Sequence, residues 1–380
     1  MTETILDDFC ITRNLSDETR KLYTSAINQY TQFNNMNMME LLEEAEIDEE
    51  KGVRWKYRKV RKRLMKYRIY LINKYIFTTA KKYFSLILTV YRHYEIELQQ
   101  LPSISNRNVD MNKPLEYKDL PDDVLIEKIL SIANIKARAL IFFMLSSGCA
   151  RTETANITIR DYVEAVSDYT DGEDDIYEVL NILKDKDDVV PTFMVLRQKT
   201  KKHYVTFCTP EAVNAINIYL GSYGKKLEMD DLLFHCKPRS INGVFANLND
   251  KLGLGKKDCY NVFRPHILRK FHASRLYDDG MSMDLVDSLQ GRVKDKVRGV
   301  YFLDNPDRLK KEYFEHMGAV CVEWNMRNIT FKSKEFLDLE RENYEKQVLL
   351  DELSERLCGV EEFVFKGLSE RDLDEMRKYI

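Results

Sequence analysis

At 380 residues the chain is long enough for two domains of ordinary size, each with its own core. Hydrophobic residues make up 44% and charged residues 32%, and no apolar run reaches 18 residues, which describes a soluble globular protein and argues against a membrane-spanning helix. The seven cysteines are scattered and form no C-x-x-C pair, which argues against a disulfide framework and a structural zinc site. The amino-terminal residues lack a secretory pattern, so a cytoplasmic protein with no membrane partner is expected. Net charge is only −3, but it is segregated along the chain. Residues 51–68 hold ten basic residues and no acid, with Trp55, Tyr57 and Tyr67 among them. Acids concentrate at 40–50, at 161–188 and after Phe331.

Residues 1–105 read as an all-helical domain: Ser16 with Asp17 and Glu18 signals a first helix running to Phe33. Helices follow over 38–45, 53–74 and from Thr78 or Thr79 to about Tyr94, the last with Ala80, Phe84, Ile87, Leu88 and Tyr91 on one face. The basic run lies on the third of these, where Arg54, Lys56, Arg58, Lys59, Arg61, Lys62, Arg63 and Lys66 would repel one another unless a polyanion lay against them. A solvated face is the simpler alternative for such a run. The polar stretch 101–119, with Pro102 and Pro114, marks a linker, placed at 106–119.

A second domain is expected over 120–330. Residues 121–135 read as one or two helices, and 139–145 is apolar on all sides, hence a buried helix that stops at Ser146-Ser147-Gly148 with Arg151 just beyond. Residues 193–198 and 203–208 read as strands of a hairpin with a basic tip at 199–202. The acidic 168–188 reads as a surface loop with one possible strand at 179–183. Thr209-Pro210-Glu211 opens a helix to about Leu220, and another covers 240–252. After the loop 253–260 comes FRPHILRKFHASRLYDDGMSMDLVDSLQGRVKDKVRGVY, residues 263–301. Pro265 opens a helix closed by Gly280, and His266 and Arg269 share one of its faces, where they can converge on one small anion. A further helix over 282–290 delivers Arg292 at a turn, and Tyr301 follows nine residues later. Helices are expected over 306–316 and 333–357. The acidic extension 331–380 reads as a surface that docks on the protein itself or on a neighbouring copy rather than on DNA, and is a candidate for contacts between protomers.

Taken in order, Arg151, Lys199, His266, Arg269, Arg292 and Tyr301 resemble the catalytic set of the tyrosine recombinases, or phage integrase family: Arg, β-hairpin Lys, His-x-x-Arg, His or Trp, and Tyr. The resemblance is carried by SSGCARTE, RQKTKKHYVTF, HILRKF and LQGR, and by LSDETRKLY, which is similar to the family's core-binding domain. Three departures stand out. Glu153 follows Arg151 by two residues where many members have three. Arg292 replaces the commoner His or Trp, a variant that resembles integrases of archaeal viruses and plasmids. Lys201 and Lys202 compete with Lys199, which is preferred because the family often shows Lys-Thr there.

The resemblance implies a mainly α protein, with a helical core-binding (SAM-like) domain and an α+β catalytic domain carrying a small antiparallel sheet. It implies cleavage and rejoining of double-stranded DNA through a 3′-phosphotyrosine, without metal or other cofactor, for integration or excision of a mobile element by a tetramer on two DNA sites. The chemistry suits the residue types. Arg151 and Arg269 supply fixed forks for charge growing on non-bridging oxygens. A phenol with pKa near 10 is only about one part in a thousand ionised at pH 7, so Tyr301 needs cations and a base such as His266. Lys199 would protonate the departing 5′ oxygen, and Arg292 would add a hydrogen bond to the same phosphate. Tyr313 is the rival nucleophile, and His235, His272 and His316 show no metal-ligand spacing. The alternatives are a type IB topoisomerase-like enzyme, or a catalytically silent DNA-binding protein on the same scaffold.

Overall fold

The computed structural model describes residues 2–102, 115–292, 305–322 and 346, and the chain divides into two units, Met1–Leu115 and Glu116–Ile380. Most of the expected linker, Tyr301 and the helix at 333–357 with nearly all of the acidic extension lie outside the described residues. The first unit comprises α1 Thr2–Thr12, α2 Asp17–Asn34, α3 Met38–Glu50, a 3₁₀ turn Trp55–Tyr57, α4 Lys59–Lys74 and α5 Phe77–His93. α2 starts at the expected Ser16 cap. At α3, Asn37 accepts from the Glu40 amide and Glu40 accepts from the Asn37 amide, satisfying two free donors at once. α1 adds to the expected set: Ile5, Leu6, Phe9 and Cys10 are buried at the spacing of a one-sided helix. The helix expected over 53–74 begins later, because the Asp48 carboxylate of α3 accepts from the Lys59 amide at 2.6 Å and caps α4 there. In the core, Tyr30 meets Tyr67 edge-on at 4.7 Å and shares a 3.1 Å hydrogen bond with Tyr91, so the buried hydroxyls find partners.

In the second unit, α6 Asp123–Ile132, α7 Ile135–Ser147, α8 Arg151–Asn156, α9 Ile159–Val166 and α10 Ile176–Leu183 precede an antiparallel hairpin of β1 Thr192–Arg197 and β2 Lys202–Phe207. Thr192 pairs with Phe207 and Arg197 with Lys202. There follow α11 Pro210–Gly221, α12 Pro238–Lys251, a short ribbon of β3 Lys256–Lys257 and β4 Tyr260–Asn261, α13 Pro265–Asp278, α14 Met283–Leu289 and α15 Pro306–His316. The fold is mainly helical with a small antiparallel sheet, as the sequence implies. Pro at the first turn of α11, α13 and α15 falls where its missing N–H costs nothing. The possible strand at 179–183 is corrected to α10. Asp175 accepts from the Tyr177 and Glu178 amides, and Ile176, Val179 and Leu183 point into the core at helical spacing.

α7 is the axis of this unit. Every residue from Ala139 to Ser147 is buried, and it packs against α11 and α13, with Phe143 edge-on to Phe193 of β1 at 5.3 Å. Among the described residues, no helix is long and apolar enough to cross a membrane.

Candidate active site

The site grows from the carboxyl end of α7. The last carbonyls of a helix have no partner within it, and here three other elements supply one. Tyr313 of α15 donates to the Ser146 carbonyl at 2.9 Å, Thr206 of β2 to that of Ser147 at 2.7 Å, and Arg269 Nη1 of α13 to that of Gly148 at 2.7 Å. Gly148 takes a left-handed φ of +63° and lies so close to the His272 ring that an added Cβ would stand 2.6 Å from Nδ1. Only glycine meets both demands.

Arg269 is 6% exposed. Besides Gly148, its Nη1 contacts Glu153 Oε2 at 3.3 Å, and its Nη2 donates to the Gln290 carbonyl. Gln290 returns the contact, its Nε2 donating to the Arg269 carbonyl at 2.9 Å and to His272 Nδ1 at 3.0 Å. Among the described residues the Arg269 Nε–H has no protein acceptor.

Glu153 is the hub. Its Oε2 accepts from the Ala150 amide at 2.7 Å, which starts α8, and from the Tyr204 hydroxyl at 3.0 Å. Its Oε1 lies 4.0 Å from Arg197 Nε, and Arg197 Nη1 donates to the Gly291 carbonyl. Gly291, at φ +57°, lies so close to the Tyr204 ring that an added Cβ would come within 2.4 Å of it. One buried carboxylate thus joins α8, the hairpin, α13 and the turn after α14. The spacing of Arg151 and Glu153, unusual in sequence, leaves Glu153 serving the helix start and Arg269 together. Glu153, Gln290, Arg197 and Tyr204 were not singled out as site residues from sequence. Gln290 and Gly291 lie in LQGR, where they read only as a helix end.

Arg151, His266 and Arg269 line one open pocket, with Arg264, Tyr260 and Asn242 on its other wall. Arg151 is the first residue of α8, half-buried, with no ion-pair partner among the described residues. His266 is exposed at its surface. Even so, loss of hydration against the pocket wall is the largest cause holding its pKa below the usual 6.5, with Lys270, Arg264, Arg269 and Arg292 adding to it. A neutral imidazole there can take up a proton.

Two expected members stand outside the pocket lining. Arg292 bonds Asp287 at 2.9 Å. Lys199 is exposed in the tip between β1 and β2. Of its rivals, Lys201 holds a left-handed φ of +53° and bonds Gln198 at 3.0 Å, and Lys202 pairs in the ladder with Arg197. Tyr301 lies outside the described residues. Tyr313 is fully buried, and that burial pushes its phenol well above 10.

The basic run divides in two. Arg63 makes a bidentate pair with Glu44 of α3 at 2.6 and 2.9 Å, Lys59 approaches the same carboxylate at 3.8 Å, and Arg58 pairs with Glu49 at 2.5 Å. The acids missing from 51–68 are therefore provided by the preceding helix. Arg54, Lys56, Arg61, Lys62 and Lys66 carry no such pair among the described residues. Lys56 lies over the Tyr57 ring at 4.7 Å.

Burial, aided by the charges of Arg269 and Arg292, lowers the pKa of His272 to about 3. An imidazolium would also turn a donor toward Gln290 Nε2. The unfolded chain takes up a proton near pH 6.5 that the folded chain refuses, so this contribution to stability is complete above 6.5 and is lost as pH falls toward 3. Between pH 7 and pH 5 the loss is about 2 kcal/mol. Urea unfolding at both pH values should show a smaller difference in His272→Gln than in the wild type. An unchanged difference would assign the effect to other groups.

No family model matches the chain. Over 248 residues it is 21% identical to the tyrosine recombinase XerD of Rickettsia conorii, covering 60% of this chain and 75% of that protein. Among solved structures it is similar to a Tn1549 transposon integrase in complex with transposon right end DNA, at 15% identity, 82% and 98% coverage and a TM-score of 0.46. A λ integrase dimer bound to a core site gives 12%, 80% and 97%, and 0.45. XerA recombinase gives 17%, 83% and 97%, and 0.34. A carboxylate-anchored guanidinium sharing a pocket with a second arginine and a neutral histidine defines a class of site suited to a phosphodiester. The ordered residues and the likeness to XerD point the same way: in both, the chain is similar to the tyrosine recombinases.

Proposed function

We propose that the protein is a site-specific DNA recombinase that works through a 3′-phosphotyrosine and serves integration or excision of a mobile element. The observation that carries this reading is the single pocket shared by Arg151, His266 and Arg269. The phenolic oxygen of Tyr301 attacks phosphorus while His266 accepts its proton. The P–O5′ bond breaks, and Lys199 protonates the leaving oxygen. Arg151 and Arg269 hold the non-bridging oxygens, on which charge grows as attack proceeds, so their forks favour the transition state over the ground state. Arg292 adds a hydrogen bond to the same phosphate. The phosphotyrosine conserves bond energy, and attack by a free 5′ hydroxyl reverses the step on a new partner strand. Arg54, Lys56, Arg61, Lys62 and Lys66 track the DNA backbone from the first unit, and four protomers act on two sites.

The test is covalent capture on nicked suicide duplexes tiled across the DNA flanking the protein's own coding sequence. Tyr301→Phe should abolish the adduct. Tyr313→Phe should keep it while losing about 1 kcal/mol of stability with its buried hydrogen bond to Ser146. The opposite pattern would overturn the assignment of the nucleophile, and plasmid relaxation with no site dependence would favour a topoisomerase.

A further inference from the structure

The pocket continues beyond His266 and Arg269 along a wall built by Tyr260, Asn261, Phe263 and Arg264, facing Asn242 of α12. Arg264 sits at the start of α13, immediately before Pro265. Its Nη1 donates to the Asn261 carbonyl at 2.6 Å, and its guanidinium lies over the Tyr260 ring with Cζ 5.4 Å from the centroid. The side chain is half-buried, yet no carboxylate lies within ion-pair distance of it among the described residues. Arg58, Arg63, Arg160, Arg275 and Arg292 all have such a partner. A cation held partly out of water without a counter-ion is costly unless an anion from outside completes it.

In the reading above the scissile phosphate already has Arg151 and Arg269 on its non-bridging oxygens and Arg292 for a further hydrogen bond. Arg264, in the same pocket, is then surplus for that phosphate and available to the next. Residues two apart span at most about 7 Å of chain, the scale of one nucleotide step, which suits Arg264 and His266 to successive phosphates. We propose that Arg264, clamped by the 261–262 carbonyls and the Tyr260 ring, binds a phosphate flanking the scissile one on the same strand and so sets the position of the strand in the pocket. This rests on the recombinase reading above.

The experiment uses the full chain and the suicide duplex that gives the strongest adduct, remade with a single neutral methylphosphonate at each successive position. With the wild type, one flanking substitution should weaken binding about tenfold, the loss of one charged contact. Arg264→Gln should show that loss on the all-phosphate duplex and no further loss at that position. Its log K against log salt should flatten by about 0.9. Arg264→Lys should recover part of the binding through its charge. If Arg264 serves only to clamp its own loop, the methylphosphonate losses will add to the Arg264→Gln loss at every position and Lys will not rescue, which overturns this inference alone. A wild type that forms no adduct on any duplex overturns the recombinase reading and this inference with it.

Discussion

Arg269→Lys is expected to slow adduct formation by about 10²–10³-fold while leaving the protein folded. The arginine does two jobs with one rigid plane. Nη1 and Nη2 are spent on Gly148, Glu153 and the Gln290 carbonyl, and these contacts hold the remaining Nε edge in place before DNA arrives. A lysine keeps the charge beside Glu153 but cannot bridge the three acceptors and still present a fixed donor, and the loss of one such donor typically costs that range in rate. Arg269→Ala should do more. It leaves Glu153, 6% exposed, without its nearest cation, and breaking a buried pair from one side costs about 3–5 kcal/mol. Single-turnover cleavage of a suicide duplex separates the two effects when read beside thermal unfolding. Cleavage by Arg269→Lys within threefold of wild type would remove Arg269 from the chemistry and leave it a structural residue.

The second large effect is expected at Gly148. Alanine there must hold φ near +63° and place a Cβ 2.6 Å from His272 Nδ1, 2.8 Å from Cε1 and 2.9 Å from Cγ. The ring cannot yield cheaply, because it is fully buried and bonded to Gln290. The left-handed conformation costs about 1–2 kcal/mol and overpacking about 1–3 more, so roughly 2–5 kcal/mol should be lost by urea unfolding. The Gly148 carbonyl holds Arg269, so activity of the folded fraction should fall too. Gly243 is the control. It lies inside α12, where an added Cβ would meet nothing within 4 Å and φ is not positive, so Gly243→Ala should raise stability by up to about 1 kcal/mol. Equal effects from the two alanines would show that the Gly148 contact is not specific.

The two predictions rest on parts of the molecule that differ in how they can be read. Helix starts were visible because their causes are local: a first-turn acid or a proline acts within one turn, as at Asp17-Glu18, Pro210-Glu211 and Pro306. The burial of α7 was visible because an element apolar on every side has nowhere else to go. The strand suggested at 179–183 failed for the same local reason, since the Asp175 cap and the spacing of Ile176, Val179 and Leu183 favour a helix over what β-branched content implies.

What the sequence by itself determined is therefore most of the longer helices, the β1–β2 hairpin and the order of the chemistry-bearing residues, from Arg151 to His266 and Arg269. The tertiary structure alone decided which charges are already spent. Arg58 and Arg63 are neutralised by acids of α3, Arg269 by a carboxylate 116 residues away, and Arg151 and Arg264 are left without a carboxylate partner among the described residues. The reason is physical: a helix is specified by neighbours within a turn or two, whereas the counter-ion of a guanidinium is set by how separate elements pack, and nothing in its own segment encodes that choice.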